Sequence, residues 1–397
     1  MKRNLSLGTA LSYMFIAMTV TFCLTMILST RRFERKVASV NEKEAMYDKV
    51  ADVDRIVRQN YYTQINEDDI LRGLSTGYIA GLGDEESTYF SAREMAEYQE
   101  WINGRIIGTG MDFLKSRENS GYMLVYNVYT ESPADIQGIT AGDTITRING
   151  TSCIALSYDT AYDMLTGTSG ETVTVSYIHE GEENEATLTF RAFEYNPVSY
   201  SKEGDFGYIR VSNFSSRTAS DIDYAINNLT SQSVKALVID IRDNASKDFD
   251  SAARAADVLL PEGTTMNAVY QGGETRVLYT SDKRSTGLPV VIITNGNTGY
   301  GAEMFAVMLK DVRGAKTVGT RTMGKGTLQR IFRLPDGSGV ELTVASLSPV
   351  KSAPYNGKGI SPDYEKELDG DAPFQTLEKA SDAQIQRAFE VARNTAG

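Results

Sequence analysis

This chain has little histidine, little cysteine and a deficit of basic residues, and each shortage excludes a class of function. Its 40 lysines and arginines face 52 aspartates and glutamates, which gives a net charge of −12 at pH 7. Binding to nucleic acid requires a basic face that displaces counterions from phosphates, so we expect no nucleic-acid partner. Cys23 lies in an apolar run and Cys153 lies far from it, so cysteine usage indicates neither a disulfide framework nor a metal cluster. We therefore predict no metal site and no cofactor.

The only histidine is His179. It ends an alternating segment, Val173–His179, that predicts a β-strand running into a turn, and we interpret it as a surface residue. Hydrolytic chemistry in this chain would therefore need a base other than imidazole.

Charged residues are absent between Arg3 and Arg31, and the stretch between them is long enough to span a bilayer as a helix. We predict a transmembrane anchor over 7–30, centred on the apolar run Leu7–Leu28, after a short tail at 1–6. A cleaved signal peptide is the alternative. The apolar run is longer than a typical signal core, however, and no Ala-x-Ala-like cleavage site precedes Arg31.

Basic residues flank this run unequally. Lys2 and Arg3 precede it, and the positive-inside rule keeps the more basic flank in the cytoplasm. The basic residues that follow it are Arg31, Arg32, Arg35 and Lys36. Charge alone therefore favours a cytoplasmic location for the rest of the chain.

The remaining sequence predicts a multidomain protein of mixed α/β and α+β class. Residues 31–104 form a helical segment with three predicted helices, at 37–62, 68–79 and 91–101. The first helix carries a stripe of apolar residues, which usually serves packing. The members of that stripe are Met46, Val50, Val53 and Val57.

Residues 105–193 show short strands separated by Gly, Asn and Asp turns, which indicates a small mixed domain. Two short helices are expected there, within 132–138 and 159–165. The predicted strands are Gly108–Phe113, Met123–Val128, Thr144–Asn149 and Val173–Ile178.

Residues 194–365 alternate apolar strands with helices, a pattern typical of an α/β layer with strands buried on both faces. Ligand sites in such layers lie at the carboxyl ends of the strands. A helical segment at 366–397 completes the chain. The strands are predicted at Phe206–Val211, Ala236–Ile241 and Pro289–Thr294, and the helices at Thr218–Leu229, Ser251–Leu260 and Ala302–Asp311.

Motifs spread over about residues 55 to 365 resemble, in order, those of the C-terminal processing peptidases, a serine-lysine protease family with a PDZ domain. In the first half these motifs are Asn60-Tyr-Tyr, Gly81-Leu-Gly-Asp84, Ser87-Thr-Tyr-Phe90, Gly108-Thr-Gly-Met111, Ser132-Pro-Ala and Gly142-Asp-Thr-Ile. In the second half they are Asp240-Ile-Arg-Asp-Asn244, Leu260-Pro-Glu-Gly263, Gly324-Lys-Gly-Thr-Leu-Gln329, Leu334-Pro-Asp-Gly337 and Gly357-Lys-Gly-Ile-Ser-Pro-Asp363.

The resemblance implies that 105–193 is a PDZ domain that captures the C-terminus of a peptide. In that binding mode, a glycine-rich turn presents backbone N–H groups to the carboxylate, and the peptide adds a strand to the sheet edge. Gly108 and Gly110 suit such a turn, because glycine allows close approach of the backbone. The predicted peptide-binding residues are Gly108, Thr109, Gly110 and Met111.

The same resemblance assigns Lys325 to the general base and Gln329 to the residue that orients it. In serine-lysine hydrolases, an uncharged lysine amine accepts the serine proton while backbone N–H groups stabilise the oxyanion. A helix would place both side chains on one face, but Gly324 and Gly326 favour a loop or strand turn. Those glycines alone would indicate no more than a turn.

The nucleophile position departs from the family pattern. Where the family has a serine-containing elbow, this chain reads Asn295-Gly-Asn-Thr-Gly-Tyr-Gly-Ala-Glu303, which puts Tyr300 in the serine position. A phenol is a poorer acyl acceptor than a lysine-activated alkoxide, and its ring would fill the space of the scissile carbonyl. Thr298 carries a hydroxyl two positions earlier, but aligning it with Lys325 would need a rebuilt turn.

A second departure lies in the oxyanion loop, where an Asn-Pro-Gly-Gly-like turn is replaced by Asn244-Ala-Ser-Lys247. Side-chained residues resist the positive φ that turns backbone N–H groups toward an oxyanion. The altered residues are Ala245, Ser246 and Lys247.

These features lead to the hypothesis of a membrane-anchored homologue that binds peptide C-termini and has little or no peptidase activity. Its partners would be peptide or protein C-termini, an active paralogue, or a second copy of itself. Two alternatives remain: an active peptidase with Thr298 as nucleophile and Lys325 as base, and an assembly scaffold without peptide affinity. For location we follow the family and expect an extracytoplasmic soluble region on a single-pass membrane anchor.

Overall fold

The computed structural model describes residues 44–115, 121–282, 286–370 and 373–396, with short pieces at 14–15, 18–21 and 25–26. Most of the predicted anchor at 7–30 lies outside the described residues. Within the part of the chain that is described, no helix is both long enough and apolar enough to cross a membrane.

The chain divides into two compact units, Met1–Leu74 and Ser75–Gly397. The first unit contains helix α1, residues 44–60, and the start of helix α2, Glu67–Ala80. Arg58 ties these helices together through ion pairs with Asp54 and Glu67 at 2.8 and 2.6 Å. Along α1, the predicted apolar stripe faces a groove that it shares with α2, lined among others by Val50, Val53, Val57, Ile70 and Leu74.

The second unit begins with a short strand, β1 (Thr88–Phe90), and helix α3 (Ala92–Ile102). Ser91 starts α3 with a reciprocal cap: its hydroxyl accepts from the Glu94 N–H, and the Glu94 carboxylate accepts from the Ser91 N–H at 2.7 Å. Such a box satisfies backbone donors that the first helical turn leaves unpaired.

A five-strand antiparallel path, β3-β4-β5-β7-β8, forms the small mixed domain, with β3 and β8 at its edges. The predicted strand Gly108–Phe113 is wrong, because the backbone breaks at Thr109 and Gly110 into two strands in different sheets. The strands are β2 (Arg105–Gly108), β3 (Met111–Lys115), β4 (Met123–Val128), β5 (Thr144–Ile148), β6 (Thr151–Ser152), β7 (Thr172–His179), β8 (Glu182–Thr189) and β9 (Arg191–Glu194). The helices are α4 (Pro133–Ile136) and α5 (Tyr158–Met164).

The α/β layer has the strand order β10-β11-β12-β15-β16-β19, with parallel pairing from β11 onward. Side chains alternate between its two faces, as the strand pleat requires. Leu237 and Ile239 pack toward helices of the chain's middle part, whereas Val238 packs toward the C-terminal helix. The strands are β10 (Val198–Glu203), β11 (Phe206–Val211), β12 (Ala236–Asp240), β15 (Val290–Thr294), β16 (Lys316–Gly319) and β19 (Tyr364–Glu365).

Helices cover both faces of this layer. On one face lie α6 (Thr218–Ser231), α7 (Phe249–Asp257) and α8 (Gly301–Met308), which continues as a π-helical segment over Leu309–Arg313. On the other lies α9 (Ala383–Ala396), whose Ile385, Ala388 and Val391 are buried against the sheet. The C-terminal segment is therefore part of this core.

A second antiparallel sheet, β1-β18-β13-β14 with β17 beside β18, has strands that the sequence pattern does not reveal. The buried positions of β18 alternate along the strand, but they include Gly339, Glu341 and Ala345. The larger apolar residues Val340, Leu342 and Val344 lie on its less buried face, so hydrophobicity does not mark the strand. The additional strands are β13 (Gly263–Tyr270), β14 (Thr275–Ser281), β17 (Thr327–Arg333) and β18 (Gly339–Pro349).

Candidate functional site

Tyr300 lies at a sharp turn between strand β15 and helix α8, at the carboxyl end of a central strand. Its backbone angles are φ 51° and ψ −116°. A bulky residue at positive φ is uncommon, and such strain clusters at functional sites. A strained strand-to-helix turn is also how hydrolases present a catalytic nucleophile. The backbone here thus has the shape of a nucleophile elbow, and the side chain on it is a tyrosine.

The loop at residues 244–247 holds this elbow through backbone hydrogen bonds. Gly299 N–H donates to the Asn244 carbonyl at 2.9 Å, and Gly301 N–H donates to the Ser246 carbonyl at 2.8 Å. Ser246 N–H in turn donates to the Asn244 side chain at 3.1 Å. The N–H groups of Gly301 and Ser246, both close to the elbow, are consequently engaged within the protein.

The Tyr300 side chain is held from three directions. Its hydroxyl donates to Glu86 at 2.8 Å. Its ring lies near two ammonium groups, with the Lys247 and Lys325 nitrogens 5.2 and 5.7 Å from the ring centroid. Burial, followed by the hydrogen bond to Glu86, raises the pKa of the Tyr300 phenol above its usual value. The phenol is therefore neutral at physiological pH.

Lys325 occupies a glycine-bordered turn, as the loop alternative predicted, and that turn packs directly on residues 356–359. A Cβ on Gly324 would lie 2.7 Å from the Gly359 nitrogen, and one on Gly326 would lie 2.7 Å from the Asn356 nitrogen. The backbones of the two glycine-containing motifs therefore pack in direct contact with each other. Side chains at these positions would push the two backbones apart.

Glu303, near the start of helix α8, holds the glycine-bordered turn around Lys325 through hydrogen bonds. Its carboxylate accepts from the Gly324 and Lys325 N–H groups, each at 2.7 Å, and from the Thr322 hydroxyl. Burial raises the pKa of Glu303, and these hydrogen bonds oppose that rise. The elbow helix and the lysine turn are thereby fixed to each other.

Glu86 joins the predicted site residues into one ionic network. Its carboxylate lies 2.6 Å from the Lys325 nitrogen and 3.3 Å from the Lys247 nitrogen, and it also accepts from Tyr300. Burial alone would raise the pKa of Glu86, but the hydrogen bonds from Lys325 and Tyr300 outweigh it and lower the pKa. The bond to Glu86 raises the pKa of Lys325. Lys325 is thus an ammonium, whereas a general base needs the free amine.

Gln329 lies away from this network, on β17, next to an irregularity in the pairing of β17 with β18. Its side-chain amide donates to the hydroxyls of Thr327 and Thr343 at 2.9 and 3.1 Å. Its amide oxygen is buried without a hydrogen-bond partner. Among its described contacts none orients Lys325.

Thr298 is fully buried in the elbow and supports its backbone. Its hydroxyl oxygen accepts from the Asn295 N–H at 3.0 Å and donates to the Ile241 carbonyl at 3.0 Å. A hydroxyl used in this way joins the ends of β12 and β15 and does not face Lys325.

In the loop that follows Asn244, Lys247 points its ammonium at Glu86 and at Glu341, the latter at 3.4 Å. Burial raises the pKa of Glu341, and Lys247 opposes that shift. Ser246 is buried, with its hydroxyl donating to the Phe214 carbonyl at 3.4 Å. Ala245, between them, is exposed.

The predicted peptide-binding loop lies between β2 and β3. Gly110 has φ 80°, and a Cβ there would come within 2.0 Å of the Ser132 Cβ. The Thr109 carbonyl accepts from Ala134 N–H, and the Gly110 carbonyl from Tyr129 N–H, both at 2.9 Å. Gly108, in contrast, has open space around its Cα. Met111 opens β3, whose outer edge has no partner strand among the described residues.

Comparison with known families matches two segments of this chain. Peptidase family S41 matches residues 205–366, and the PDZ domain matches residues 107–190. The two matches support a family of the C-terminal processing peptidase type.

Relatives and solved structures agree with this assignment to the C-terminal processing peptidases. A "Probable CtpA-like serine protease" of Staphylococcus epidermidis is 26% identical over 341 residues, covering 85% of this chain and 69% of that protein. One of the same name from Staphylococcus aureus is 25% identical over 359 residues, covering 88% and 72%. The photosystem II D1 C-terminal processing protease is 26% identical, with a TM-score of 0.50 over 79% of this chain and 86% of that one.

A further solved structure, an S41 protease candidate from Bacteroides fragilis, supports the fold alone. It is 17% identical and has a TM-score of 0.58, covering 85% of this chain and 99% of that one.

The motif pattern of the C-terminal processing peptidases did not single out the carboxylates that organise this site. Glu86 lies inside a segment that carries the resemblance, but no sequence signal connects it with Lys325, which is 239 positions away. In the sequence, Glu303 marks only the end of the elbow motif. Glu341 lies on β18, a strand that the pattern missed. Long-range contacts of this kind become visible only when the sheets are assembled.

Proposed function

We propose that this protein is a peptide-binding member of its family without peptidase activity. One observation carries the proposal: the Tyr300 phenol fills the nucleophile position and donates to Glu86, which also holds Lys325 as an ammonium. A serine-lysine mechanism needs a hydroxyl that can be deprotonated and an amine that can accept its proton. Here the hydroxyl has a raised pKa and the amine has a raised pKa.

The oxyanion side of the site supports the same proposal. Stabilising a tetrahedral intermediate requires free N–H donors aimed at the oxyanion, and removing one donor costs about two to three orders of magnitude in rate. The Gly301 and Ser246 N–H groups are instead bonded within the protein. Lys247 adds a side chain that lies over the Tyr300 ring.

Peptide binding is proposed for the small domain at 105–193. Residues 108–111 form a tight glycine-containing loop directly before an edge strand, the arrangement that accepts a C-terminal carboxylate and an added strand. Helix α5 brings Tyr158 within 5.4 Å of Phe113, ring centre to ring centre, so an apolar side chain entering there would meet aromatic surface.

Membrane attachment through 7–30 remains part of the proposal and rests on the apolar run, whereas a location of the remaining chain outside the cytoplasm follows from the family resemblance. In that setting the protein would restrain an active paralogue or present its substrate. Protease added to intact cells should degrade residues 40–397. Full protection of that region, with degradation only after lysis, would contradict this location.

The catalytic proposal is tested with the soluble region, residues 38–397, and an unfolded protein substrate. We expect no cleavage, and the same result for Lys325→Ala. Tyr300→Ser alone should give at most a trace of activity, because Glu86 still pairs with Lys325 and residues 245–247 are unchanged.

Adding Glu86→Gln and the family-like turn Ala245→Pro, Ser246→Gly, Lys247→Gly should restore far more activity than any single change, since these groups act as a unit. Cleavage by the unmodified protein that disappears on Lys325→Ala would overturn the proposal. Thr298→Ala would then show whether threonine acts as the nucleophile.

The binding proposal is tested with peptides that end in an apolar residue. Binding to the free-acid peptide should be lost when the C-terminus is amidated, because the loop recognises the carboxylate. Equal affinity for both forms would exclude this mode of binding and would favour a scaffold without C-terminus recognition.

A further inference from the structure

A cavity of about 680 Å³ lies between the small domain and the α/β layer. One wall is the outward face of β3 and β4, and the other lies at the carboxyl ends of β11 and β12. Pockets at such strand ends and at domain boundaries commonly hold ligands. The side chains that line it include Asp112, Tyr126, Tyr129, Arg210, Phe374 and Lys379.

The cations that line this cavity already have carboxylate partners. Arg210 pairs with Asp240 at 3.4 Å, and Lys379 pairs with Glu203 at 2.9 Å. Arg242 pairs with Asp240 at 2.6 Å and with Asp382 at 2.7 Å.

The lining carboxylates are less well compensated. Glu194 pairs with Arg217 at 2.8 Å. Asp112 and Glu131 form no ion pair within the described part of the chain. The cavity therefore carries uncompensated negative charge, with Asp112 as its more enclosed source.

Asp112 is a largely buried carboxyl without a cation of its own. It accepts from the Tyr129 hydroxyl at 2.5 Å and from the Asn127 amide at 3.0 Å. Burial raises its pKa, while these bonds and the field of Arg210 oppose the rise. Buried carboxylates in proteins are normally paired, and an aromatic ring such as that of Tyr126 also attracts cations. The Phe374 ring already contacts Arg242 and Arg210, 3.9 and 4.8 Å from its centroid.

The strand pleat connects this carboxyl to the proposed peptide site. Met111 and Phe113 point into the core of the small domain, and Asp112, between them, lines the cavity. In an antiparallel pair, residues directly opposite each other point to the same face. A peptide whose last residue lies opposite Met111 would direct its penultimate side chain to the face of Asp112.

We propose that the cavity binds the ammonium or guanidinium of a penultimate lysine or arginine in a peptide docked along β3, with Asp112 as its carboxylate partner. This inference rests on the proposed binding of peptide C-termini. It adds a preference among peptide C-termini for a basic penultimate residue, and this preference depends on the arrangement of the small domain and the α/β layer.

The test measures the affinity of the full-length chain for free-acid peptides that end in leucine and differ only at the penultimate position. Lysine should bind about tenfold more tightly than norleucine, its uncharged analogue, and glutamate more weakly than norleucine. Lysine placed one position earlier should give no gain, because that side chain faces Phe113. In Asp112→Asn, the lysine and norleucine peptides should bind equally.

Glu185→Gln on β8, the opposite edge of the sheet, is the matched control and should keep the lysine preference. Unchanged affinity of Asp112→Asn for the norleucine peptide would show that the groove is intact. The comparison of peptides on the unmodified chain does not depend on any variant. Carboxylate-dependent binding without a lysine preference would overturn this inference alone. Absence of any carboxylate-dependent binding would overturn the proposed function as well.

Discussion

The proposed peptide-binding loop and the elbow both contain a residue at positive φ, and they differ in the residue that adopts it. In the loop it is Gly110, at φ 80°, and in the elbow it is Tyr300, at φ 51°. The first position has no side chain and leaves an open strand edge beside it. The second keeps the strained backbone but fills the adjacent space with a phenol. A fold can therefore hold a strained strand-to-helix turn even with a side chain as large as tyrosine on it.

Electrostatics separates the two regions in the same way. Around Tyr300, the lysines and carboxylates neutralise one another, and Glu86 is the group they share. Beside the proposed peptide-binding loop, Asp112 has no cationic partner among the described residues. The charged groups around Tyr300 are paired with one another, whereas Asp112 is hydrogen-bonded only to neutral side chains.

The largest expected effect follows from Gly110→Ala, which tests how strictly the loop depends on glycine. The added Cβ would overlap Ser132 and would hold positive φ, so we expect a loss of about 2–4 kcal/mol in the free energy of unfolding. Gly108→Ala is the control, because its Cβ meets open space. Urea unfolding followed by circular dichroism measures both variants. Equal stability of the two would show that the loop tolerates side chains and would weaken the contrast with the elbow.

An intermediate effect on stability is expected from Glu86→Gln, which tests whether the ion pairs of Glu86 with Lys325 and Lys247 stabilise the site around Tyr300. The substitution leaves Lys325 and Lys247 near each other without a carboxylate. The side chains of both lysines are 33% exposed, so solvent screens the interaction and the loss should be about 1 kcal/mol. The loss should shrink in high salt.

Glu85→Gln, at the exposed neighbouring position, should leave the melting temperature unchanged. If the two glutamine variants melt alike, Glu86 does not hold the site together.

The smallest effect concerns His179, whose pKa is raised by its hydrogen bond to Asp143 at 2.8 Å. Because the folded pKa lies above the unfolded value, this contribution is fully present below the unfolded pKa and is lost as pH rises through the folded pKa. With a reference value of about 6.5, the melting temperature should fall slightly from pH 6 to pH 8. His179→Gln should flatten that dependence. A profile that is identical with and without the histidine would exclude the pair as a source of stability.

Local patterns predicted the central strands of the α/β layer, because those patterns report on burial. Continuous apolar runs indicated β11, β12 and β15. The sheet around β18 escaped prediction, since the buried face of that strand carries residues such as Gly339 and Glu341 instead of large apolar side chains. The split at Thr109 and Gly110 also escaped it, because two strands of different sheets meet there without a change in composition.

At the candidate site, the sequence by itself predicted that Tyr300 stands where the family has serine, and it determined that glycines border Lys325. Both statements depend on order along the chain alone. Only the tertiary structure decided that Glu86 joins Tyr300 and Lys325 across separations of 214 and 239 residues. Only it decided that Gln329 turns away toward Thr343 and that Asp112 faces a cavity. The reason is physical: the charge state of a lysine and the pairing of a carboxylate depend on neighbours that folding brings within hydrogen-bond distance.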